Sequence, residues 1–389
     1  MPVVNRIAEF HAEMMAWRHD IHAHPEMAFN EHRTSDFVAA TLAGFGIAVD
    51  RGLAGTGVVG TLRCGGGKRA IALRADMDAL PIQEKTGSAH ASTHDGIMHA
   101  CGHDGHTTML LGAARYLAET GNFDGTVHFI FQPAEENECG GQKMVEEGLF
   151  TRFPVEAVYG MHNWPGVPVG EFGVRAGPIM AADDKFEITL ASRGAHAAMP
   201  HLGDDPIVAA GALIGAMQSI VSRTVDPQDE AVVSVTQIHG GNTWNIVPED
   251  VVLRGTCRYF NPALRQVLEA ALRRVSDGIA ATHGVKAGFA YYKPIPPAVN
   301  AEGPTEAAAR AAALVAGVEN VHRDLLPSMG CEDFGFMLAA RPGCYVWIGN
   351  GPMAEGRSLH SARYDFNDEI LPLGASYWAN LVESILPRG

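Results

Sequence analysis

The chain has 389 residues, of which 47% are hydrophobic and 19% are charged, a composition typical of a folded globular protein. Its length is enough for two or three domain-sized units. The formal net charge of -15 at pH 7 argues against a nucleic-acid partner, because phosphate binding requires clustered Lys and Arg.

The first part of the chain alternates short apolar strands with helical patterns. Strands are predicted over residues 71–76, 126–131 and 155–159, and a helix over residues 107–120. The first of these strands runs into two carboxylates, Asp76 and Asp78. The alternation predicts an α/β domain with a mostly parallel sheet, in which ligands bind just past the strand ends.

The pattern changes after residue 178. From residue 186 to about residue 290 the predicted order is strand, helix, strand, strand, helix, strand, which is the split βαβ, ferredoxin-like order. The α/β alternation returns after residue 297. We therefore predict a main domain of residues 1–183 and 297–389, and an inserted domain of residues 184–296.

Targeting and redox signals are sparse. Residues 1–20 lack an apolar core followed by a small-residue cleavage site, and no run approaches the ~20 apolar residues of a membrane span. The six cysteines show no paired spacing, which fits reduced thiols better than a disulfide framework. We therefore expect a soluble, cytoplasmic protein.

The segment MHACGHDGH, residues 98–106, is the densest cluster of potential metal ligands. Cys101 and His103 lie two residues apart at the predicted entrance of a helix, where the helix N-terminus favours a thiolate. A buried cysteine beside solvated histidines fits this segment nearly as well. The segment alone therefore does not decide between a metal site and a structural role.

Two adjacent carboxylates, Glu135 and Glu136, follow an apolar strand. Neighbouring side chains in extended backbone point to opposite sides, so one can bind a metal while the other reaches a water bound to it. This division between ligand and general base is what hydrolysis by a metal-activated water requires. Taken by itself, the pair also fits a plain acidic loop.

Two later histidines extend this potential ligand set. His162 follows another predicted strand and His360 lies in a late loop, and either one alone is more often structural. Together with Cys101, His103 and Glu136 they supply five ligands of nitrogen, oxygen and sulfur type. Five ligands are enough for two metals when a ligand or a water bridges them.

Eight strings of the sequence stand in a recognisable order: RHDIHAHPE, ALRADMDALP, MHACGHDGHTTMLLGAA, FQPAEE, GMHNWPG, RGAHAAMP, NIVPE and LHSARYDFND. Together they resemble the metal-dependent aminoacylase and hippurate hydrolase branch of the aminoacylase/carboxypeptidase superfamily, which includes indole-acetyl-amino-acid hydrolases. The resemblance covers essentially the whole chain. It implies a di-metal catalytic domain and an inserted dimerisation or lid domain, with hydrolysis of N-acyl-amino acids to a carboxylic acid and an amino acid.

The resemblance also implies roles for single residues. The implied metal ligands are Cys101, His103, Glu136, His162 and His360. The implied general base is Glu135. Asp76 is implied to support the ligands, because Arg74 stands where related carboxypeptidases have a ligand histidine.

Three residues of the inserted domain are implied to contact the substrate. His196 matches a histidine that reaches the active site of the partner subunit in a homodimer, and Asn245 is similarly placed for substrate contact. Arg258 is a candidate for binding the substrate carboxylate, although a structural arginine fits nearly as well. Glu332 and Asp333, in the segment GCEDFGF, are candidates for lining the acyl side of the site, and we assign them no role.

Two divalent metal ions per subunit are expected, with zinc or manganese favoured over cobalt or nickel. The expected partner is a small N-acyl-amino acid, hippurate-like or a related conjugate, with neither nucleic acid nor membrane. A dipeptidase, a carboxypeptidase and an N-acetyl-amino-acid deacetylase are alternatives with the same chemistry. A non-catalytic binding protein would not need Glu135 beside Glu136, and a zinc oxidoreductase would need a dinucleotide-binding fingerprint, which the sequence lacks.

Overall fold

The strand and helix patterns of the sequence form a mixed α/β fold in a computed structural model, which describes residues 3–136, 138–353 and 356–389. The chain divides into two units. Unit 1 comprises Met1–Ile179, Ala298–Leu326 and Asp333–Gly389, and unit 2 comprises Met180–Pro297 and Pro327–Glu332. This organisation confirms the predicted fold class, in which a smaller unit is inserted into a larger one. The domain boundaries at residues 184 and 296 stay a prediction.

The first segment of unit 1 contains most of its sheet. Its elements are α1 (Asn5–Glu9), α2 (His11–Ala23), α3 (His32–Gly44), β1 (Ala48–Leu53), β2 (Gly57–Cys64), β3 (Ala70–Asp76), α4 (His103–Thr120), β4 (Gly125–Gln132), α5 (Gly140–Glu146), α6 (Leu149–Arg152), β5 (Ala157–Trp164), β6 (Phe172–Gly173) and β7 (Gly177–Met180).

Unit 2 follows, and the chain then returns to unit 1. The elements of unit 2 are β8 (Ala182–Ala191), β9 (Ala195–His196), α7 (Pro206–Arg223), β10 (Ala231–His239), β11 (Ile246–Val247), β12 (Asp250–Tyr259), α8 (Leu264–His283) and β13 (Lys286–Ile295). The returning elements are β14 (Ala298–Asn300), α9 (Glu302–Ala316), β15 (Val321–His322), α10 (Gly335–Ala340), β16 (Gly343–Gly349) and α11 (Leu371–Ile385).

The large sheet of unit 1 has the strand order β1-β2-β4-β3-β5-β16-β6-β15. Its central strands are parallel, as the alternation predicted: β3 is parallel to β4 and β5, and β16 is parallel to β5. Antiparallel pairs, β1 with β2, β2 with β4, and β16 with β6, make the sheet as a whole mixed. The carboxyl ends of β3, β4, β5 and β16 therefore meet at one edge.

Helix α4 forms the centre of the unit 1 core. Its predicted apolar face, which includes Met109, Leu110, Ala113 and Leu117, is fully buried. The helix ends at Gly121, whose φ of +54° is the left-handed conformation expected of a helix stop. Burial of this face fixes the first turn of α4 against the sheet, so the residues just before the helix are held at the carboxyl ends of the strands.

Unit 2 has a four-stranded antiparallel sheet in the order β10-β12-β8-β13. With the helices between the strands, this is the predicted ferredoxin-like arrangement. Helices α7 and α8 pack on each other and on the sheet. Strand β10 lies at one edge, so one row of its backbone groups has no neighbouring strand within the unit.

Helix α7 is long and apolar enough to span a membrane by length and composition alone. It begins at Pro206, where the Asp205 carboxylate accepts hydrogen bonds from two backbone N–H groups of the first turn. Its inner residues, which include Leu213 and Met217, are fully buried in the core of unit 2. Other residues of the helix, including Ile207 and Val208, are exposed.

His128 makes the stability of the fold depend on pH. It lies on β4 opposite Thr61, whose hydroxyl is 2.9 Å from His128 Nδ1. Burial lowers the pKa of His128 from 6.5 to about 4. The unfolded chain therefore takes up this proton at higher pH than the folded chain, and stability that is complete above about pH 6.5 is lost as the pH falls to about 4.

We expect the free energy of unfolding of the wild type to fall by about 3 kcal/mol more than that of His128→Asn between pH 7 and pH 4. Asparagine can still bond Thr61 but does not titrate. Urea denaturation at a series of pH values measures the free energy of unfolding of both proteins. Subtracting one from the other removes the contributions of the other titrating groups. If the free energy of unfolding of the two proteins changed with pH in the same way, the lowered pKa of His128 would be contradicted.

Candidate metal centre

The candidate centre lies in unit 1, where parallel strands end together. Asp76, the last residue of β3, pairs with Gln132, the last residue of β4. On the other side of β3, Arg74 pairs with Gly160 of β5, and His162 follows two residues later. Side chains at and just after these strand ends therefore converge on one edge of the sheet.

Gly102 brings the Cys101 segment into contact with β5. Its φ is +91°, and a Cβ there would lie 2.3 Å from Asn163 Nδ2 and 2.5 Å from the Tyr364 hydroxyl. Asn163 Nδ2 donates a hydrogen bond to the Cys101 carbonyl at 2.7 Å. The glycine therefore permits a close approach that places Cys101 just before α4 and His103 at its first residue.

Five side chains form overlapping groups in which the ligand atoms lie within 4.8 Å of one another. One group is Cys101, His103 and His162, and another is Cys101, Glu136 and His360. Cys101 Sγ is 3.3 Å from His162 Nε2. Glu136 Oε1 is 3.2 Å from His360 Nε2 and 3.8 Å from His103 Nε2. The structure thus brings together all five predicted ligands.

The two buried histidines are oriented through their other ring nitrogens. His103 Nδ1 is 3.2 Å from Asp78 Oδ1, and His162 Nδ1 donates to the Asn163 carbonyl at 2.6 Å. Both contacts leave Nε2 as the atom that takes part in the cluster. An imidazole held in this way by a carboxylate or a carbonyl is typical of a metal-ligating histidine.

The donor set fits divalent cations. His103 Nε2 and Glu136 Oε1 are buried, and among the described residues neither atom makes a hydrogen bond; their polar neighbours are other atoms of the ligand cluster, such as His360 Nε2 at 3.2 Å from Glu136 Oε1. A buried polar atom without a partner is costly, and a cation would satisfy both atoms. A thiol, three imidazoles and a carboxylate together suit transition metals better than magnesium or calcium, which prefer oxygen ligands.

Carboxylates give the cluster an excess of negative charge. Burial, and then the neighbouring Glu136 and Glu135, raise the pKa of the Cys101 thiol well above its ordinary value. Burial alone would lower the pKa of His103, but Asp76 and other nearby carboxylates raise it to about 10. The surroundings therefore favour positive charge among the ligand atoms.

His360 reaches the cluster from a strained loop. Its backbone has a φ of +62°, which is uncommon for a residue other than glycine. Its backbone N–H donates to the Ala100 carbonyl at 2.8 Å, next to Cys101. Its side chain is 53% exposed, whereas that of His103 is fully buried. Strain of this kind persists where the surrounding structure requires it, and such positions are concentrated at functional sites.

Glu135 lies beside the ligands. One of its carboxylate oxygens is within 4.8 Å of ligand atoms of His103 and Glu136, and the residue is 9% exposed. The Asp333 N–H points to Glu135 Oε1 at 3.4 Å. A carboxylate in this position can exchange protons with a molecule bound among the ligand atoms.

Asp78 is a site residue to which the sequence analysis gave no role. Its second carboxylate oxygen accepts a hydrogen bond from the Glu136 N–H at 3.1 Å, so it contacts two candidate ligands. Asp76 bonds His106 Nδ1 at 2.6 Å and Arg74 Nη1 at 2.7 Å, and its Oδ2 lies 3.8 Å from His103 Nε2. The signal for Asp78 was its spacing of two from Asp76, since such residues lie on the same side of an extended chain.

Two of the three predicted substrate contacts lie together in unit 2. His196 on β9 pairs with Ile246 on β11, and the Asn245 carbonyl accepts a hydrogen bond from the Ala197 N–H at 3.0 Å. Both His196 and Asn245 are exposed. They therefore form one polar surface on a small two-stranded ribbon.

Arg258 lies at a different place in unit 2. Its guanidinium contacts the Asp183 carboxylate across the sheet. The ribbon that carries His196 leads into the start of β12 at Asp250, and Arg258 is near the end of that strand. Eight residues of extended strand correspond to roughly 26 Å. Unit 2 of one chain therefore does not bring Arg258 to the other two residues.

Comparison with known proteins agrees with this geometry. Residues 72–384 match the family described as Peptidase family M20/M25/M40. The chain is 40% identical over 379 residues to an N-acetylcysteine deacetylase of Bacillus subtilis, with 97% of this chain and 98% of the relative covered. It is 39% identical over 381 residues to a hippurate hydrolase of Campylobacter jejuni, with 98% of both chains covered.

A solved structure supports the same relationship. The crystal structure of the Bacillus subtilis YXEP protein, described as a dinuclear metal binding peptidase from the M20 family, superposes with a TM-score of 0.85 and 37% identity. The alignment covers 97% of this chain and 99% of that protein. The predicted resemblance is confirmed, and the chain belongs to the peptidase family M20/M25/M40 as a metal-dependent amidohydrolase.

Proposed function

We propose that the protein hydrolyses the amide bond of N-acyl-amino acids, hippurate-like or related conjugates, at a centre of two divalent cations. The observation that carries the proposal is the position of Glu135, a second carboxylate beside the five proposed ligands, with an oxygen within 4.8 Å of ligand atoms of His103 and Glu136. A site that only bound metal would not need it. The names of the two full-length relatives support an acylated amino acid as the substrate class.

Glu135 is the proton carrier of the reaction. Divalent cations at the ligands would lower the pKa of a water molecule and polarise the amide carbonyl. Glu135 accepts a proton from the attacking water as the new C–O bond forms. It then donates that proton to the amide nitrogen as the C–N bond breaks. The products are a carboxylic acid and an amino acid.

The ligand chemistry favours zinc or manganese, with cobalt or nickel as further metals for the same site. The cysteine and histidine ligands suit zinc, cobalt and nickel, and the carboxylate suits manganese. Affinity order alone does not select among these metals, because availability in the cell also counts.

Removal of metal is expected to abolish turnover. We expect chelator treatment followed by gel filtration to remove two metal ions per subunit and to reduce hydrolysis of hippurate to background. Added zinc, manganese, cobalt or nickel should each restore activity to a different extent. Elemental analysis and a ninhydrin assay of released glycine measure the two quantities. Full turnover by metal-free protein would contradict the proposed chemistry.

A substrate panel distinguishes the proposed reaction from its alternatives. An N-acetyl-amino-acid deacetylase, which the 40% identical relative favours, would prefer N-acetylcysteine to hippurate. A dipeptidase or carboxypeptidase would cleave unblocked dipeptides or peptide C-termini faster than either. Comparison of kcat/KM for hippurate, N-acetyl-amino acids, indole-acetyl conjugates and dipeptides therefore identifies the acyl group.

We also propose that the protein is a homodimer joined through unit 2. The edge strand β10 exposes Val232 and Ile238, and helix α7 exposes Ile207 and Val208. An apolar edge strand beside an apolar helix face is a surface that a second copy can cover by extending the sheet.

In this dimer, His196 acts in the active site of the partner subunit, where it stabilises the negative charge that develops on the carbonyl oxygen. Asn245 contributes to the same substrate contact. Arg258 lies roughly 26 Å along β12 from the end of the strand that the His196 ribbon leads into. This distance supports the proposal that Arg258 acts in a different active site from His196 or has a structural role. The expected cytoplasmic location stays a prediction.

A further inference from the structure

Two buried carboxylates that the proposed mechanism does not use hold the segment that carries Glu135. They are Glu31, from the loop before α3, and Asp333, from the segment before α10. Both are essentially inaccessible to solvent. We refer to Glu31 and Asp333 together as the carboxylate clasp.

Glu31 holds the residue immediately before Glu135. Its Oε1 accepts hydrogen bonds from the Ala134 N–H at 2.9 Å and the Phe29 N–H at 3.1 Å. Its Oε2 accepts from the Thr56 hydroxyl at 2.6 Å. Ala134 has a φ of +56°, a left-handed conformation that is unfavourable for a residue with a Cβ. Glu31 therefore stabilises the strained backbone conformation of Ala134.

Asp333 holds the same segment on both sides of Glu135. Its Oδ1 accepts from Gln132 Nε2 at 2.7 Å, and its Oδ2 accepts from the Gly141 N–H at 2.7 Å. Its own N–H lies 3.4 Å from Glu135 Oε1. Gly140 allows the close turn, since a Cβ there would lie 1.8 Å from the Pro133 carbonyl oxygen.

We propose that Glu31 and Asp333 are positioning residues for the catalytic base, which hold the chain at Gln132, Ala134 and Gly141 so that the Glu135 carboxylate stays beside the ligand cluster. The inference rests on the proposed role of Glu135. A displacement of about 1 Å at a reacting group can lower a rate by about 10²-fold, so a small relaxation of this segment is sufficient to slow the reaction.

The two carboxylates differ in whether an amide can replace them. A glutamine at position 31 can accept from the Ala134 N–H with its oxygen, while its amino group donates to Thr56, whose hydroxyl can reverse its role. At Asp333, the Gln132 Nε2, the Gly141 N–H and Arg74 Nη2, which lies 3.2 Å from Oδ1, are all donors. An asparagine at position 333 has one acceptor oxygen, so one of these donors must lose its partner.

The experiment is steady-state kinetics on the metal-loaded enzyme. We expect Glu31→Ala to lower kcat for hippurate by about 10²-fold with unchanged KM and metal content, because the hydrogen bonds of Glu31 go to Phe29, Thr56 and Ala134 and none of these is a proposed ligand. Glu31→Gln should recover most of the wild-type kcat, whereas Asp333→Asn should not. Glu31→Ala with wild-type kcat, or Glu31→Gln as slow as Glu31→Ala, would overturn the inference.

Glu26→Ala is the matched control for loss of stability. The Glu26 carboxylate accepts from the Arg33 and Thr34 N–H groups at 2.9 Å each and so caps the start of α3. We expect Glu26→Ala to lower the melting temperature and keep the wild-type kcat. Equal losses of kcat in Glu26→Ala and Glu31→Ala would show a purely structural role for Glu31 and overturn the inference.

A second variant covers the case in which Glu31→Ala fails to fold. Glycine adopts a positive φ without strain, so Glu31→Ala combined with Ala134→Gly should fold yet keep a low kcat. Wild-type kcat in this double variant would overturn the inference. Failure of the proposed function can be distinguished from failure of the carboxylate clasp, because only the first would leave Glu135→Gln fully active. An inactive Glu135→Gln with an active Glu31 double variant would count against the clasp alone.

Discussion

Glu135→Gln is expected to lower kcat for hippurate by about 10²–10⁴-fold while the protein keeps two metal ions per subunit. Glutamine has nearly the same shape as glutamate, but its amide cannot take a proton from water or return one to the leaving nitrogen. Glu135 lies within 4.8 Å of ligand atoms of His103 and Glu136, but all five proposed ligands are unchanged in this variant, so we expect metal binding to be kept. Stopped assays with concentrated enzyme and elemental analysis give the two values.

Two control substitutions distinguish loss of the proton carrier from loss of metal in Glu135→Gln. Glu136→Gln, which alters a candidate ligand 3.2 Å from His360 Nε2, should lose metal as well as activity. Glu146→Gln changes an exposed carboxylate on α5 and should retain both. If Glu135→Gln kept the wild-type kcat, the proton would be carried by another group. If it lost metal to the extent of Glu136→Gln, Glu135 would be a ligand.

His196→Ala is expected to lower kcat by about 10²–10³-fold with metal content unchanged, the loss that follows removal of one preorganised donor to a developing oxyanion. His196 is exposed on the β9–β11 ribbon of unit 2, and its Nδ1 accepts from the Ala198 N–H at 3.0 Å. This bond uses Nδ1 as an acceptor and leaves Nε2 as the ring nitrogen that can donate to the substrate. His201→Ala, an exposed histidine of the same unit, is the matched control and should remain fully active.

Complementation tests whether His196 acts across the dimer. Neither Glu135→Gln nor His196→Ala is active alone, but a mixed dimer has one site with an intact Glu135 and an intact His196 from the other subunit. Random pairing of co-expressed chains should therefore restore roughly a quarter of the wild-type activity. Sedimentation at assay concentration should give a dimer. No restoration in proven mixed dimers, or a fully active monomer, would place His196 in its own subunit's site.

The sequence determined the architecture and the chemistry of the ligands. Helical spacing placed Met109 and Leu117 in the core, and Gly121 ends α4 where it was expected to. The strand and helix order of residues 186–290 predicted the ferredoxin-like unit. These features depend on patterns that repeat over neighbouring residues, such as the alternation of a strand or the 3.6-residue turn of a helix, which can be read along the chain.

The ligands were also recognisable from their residue types, but only as a set. The cysteine two residues before a histidine and the paired glutamates after a strand indicated metal chemistry once His162 and His360 were added to them. The distances, such as 3.3 Å between Cys101 Sγ and His162 Nε2, needed the strands to be placed side by side. The order of those strands is not a local property, since β3 and β16 enter the same sheet from opposite ends of the chain.

Only the tertiary structure decided which carboxylates support the site. Glu31 contacts a residue 103 positions away, and Asp333 one 192 positions away, so no spacing in the sequence connects them to Glu135. The sequence showed Asp78 as one of two carboxylates at a strand end, but it did not show that Asp78 contacts His103. A hydrogen bond between distant residues depends on how whole elements pack, and packing is fixed by burial of surfaces that many residues share. The sequence by itself therefore identified the candidate reacting groups, and the fold determined which distant residues hold them in place.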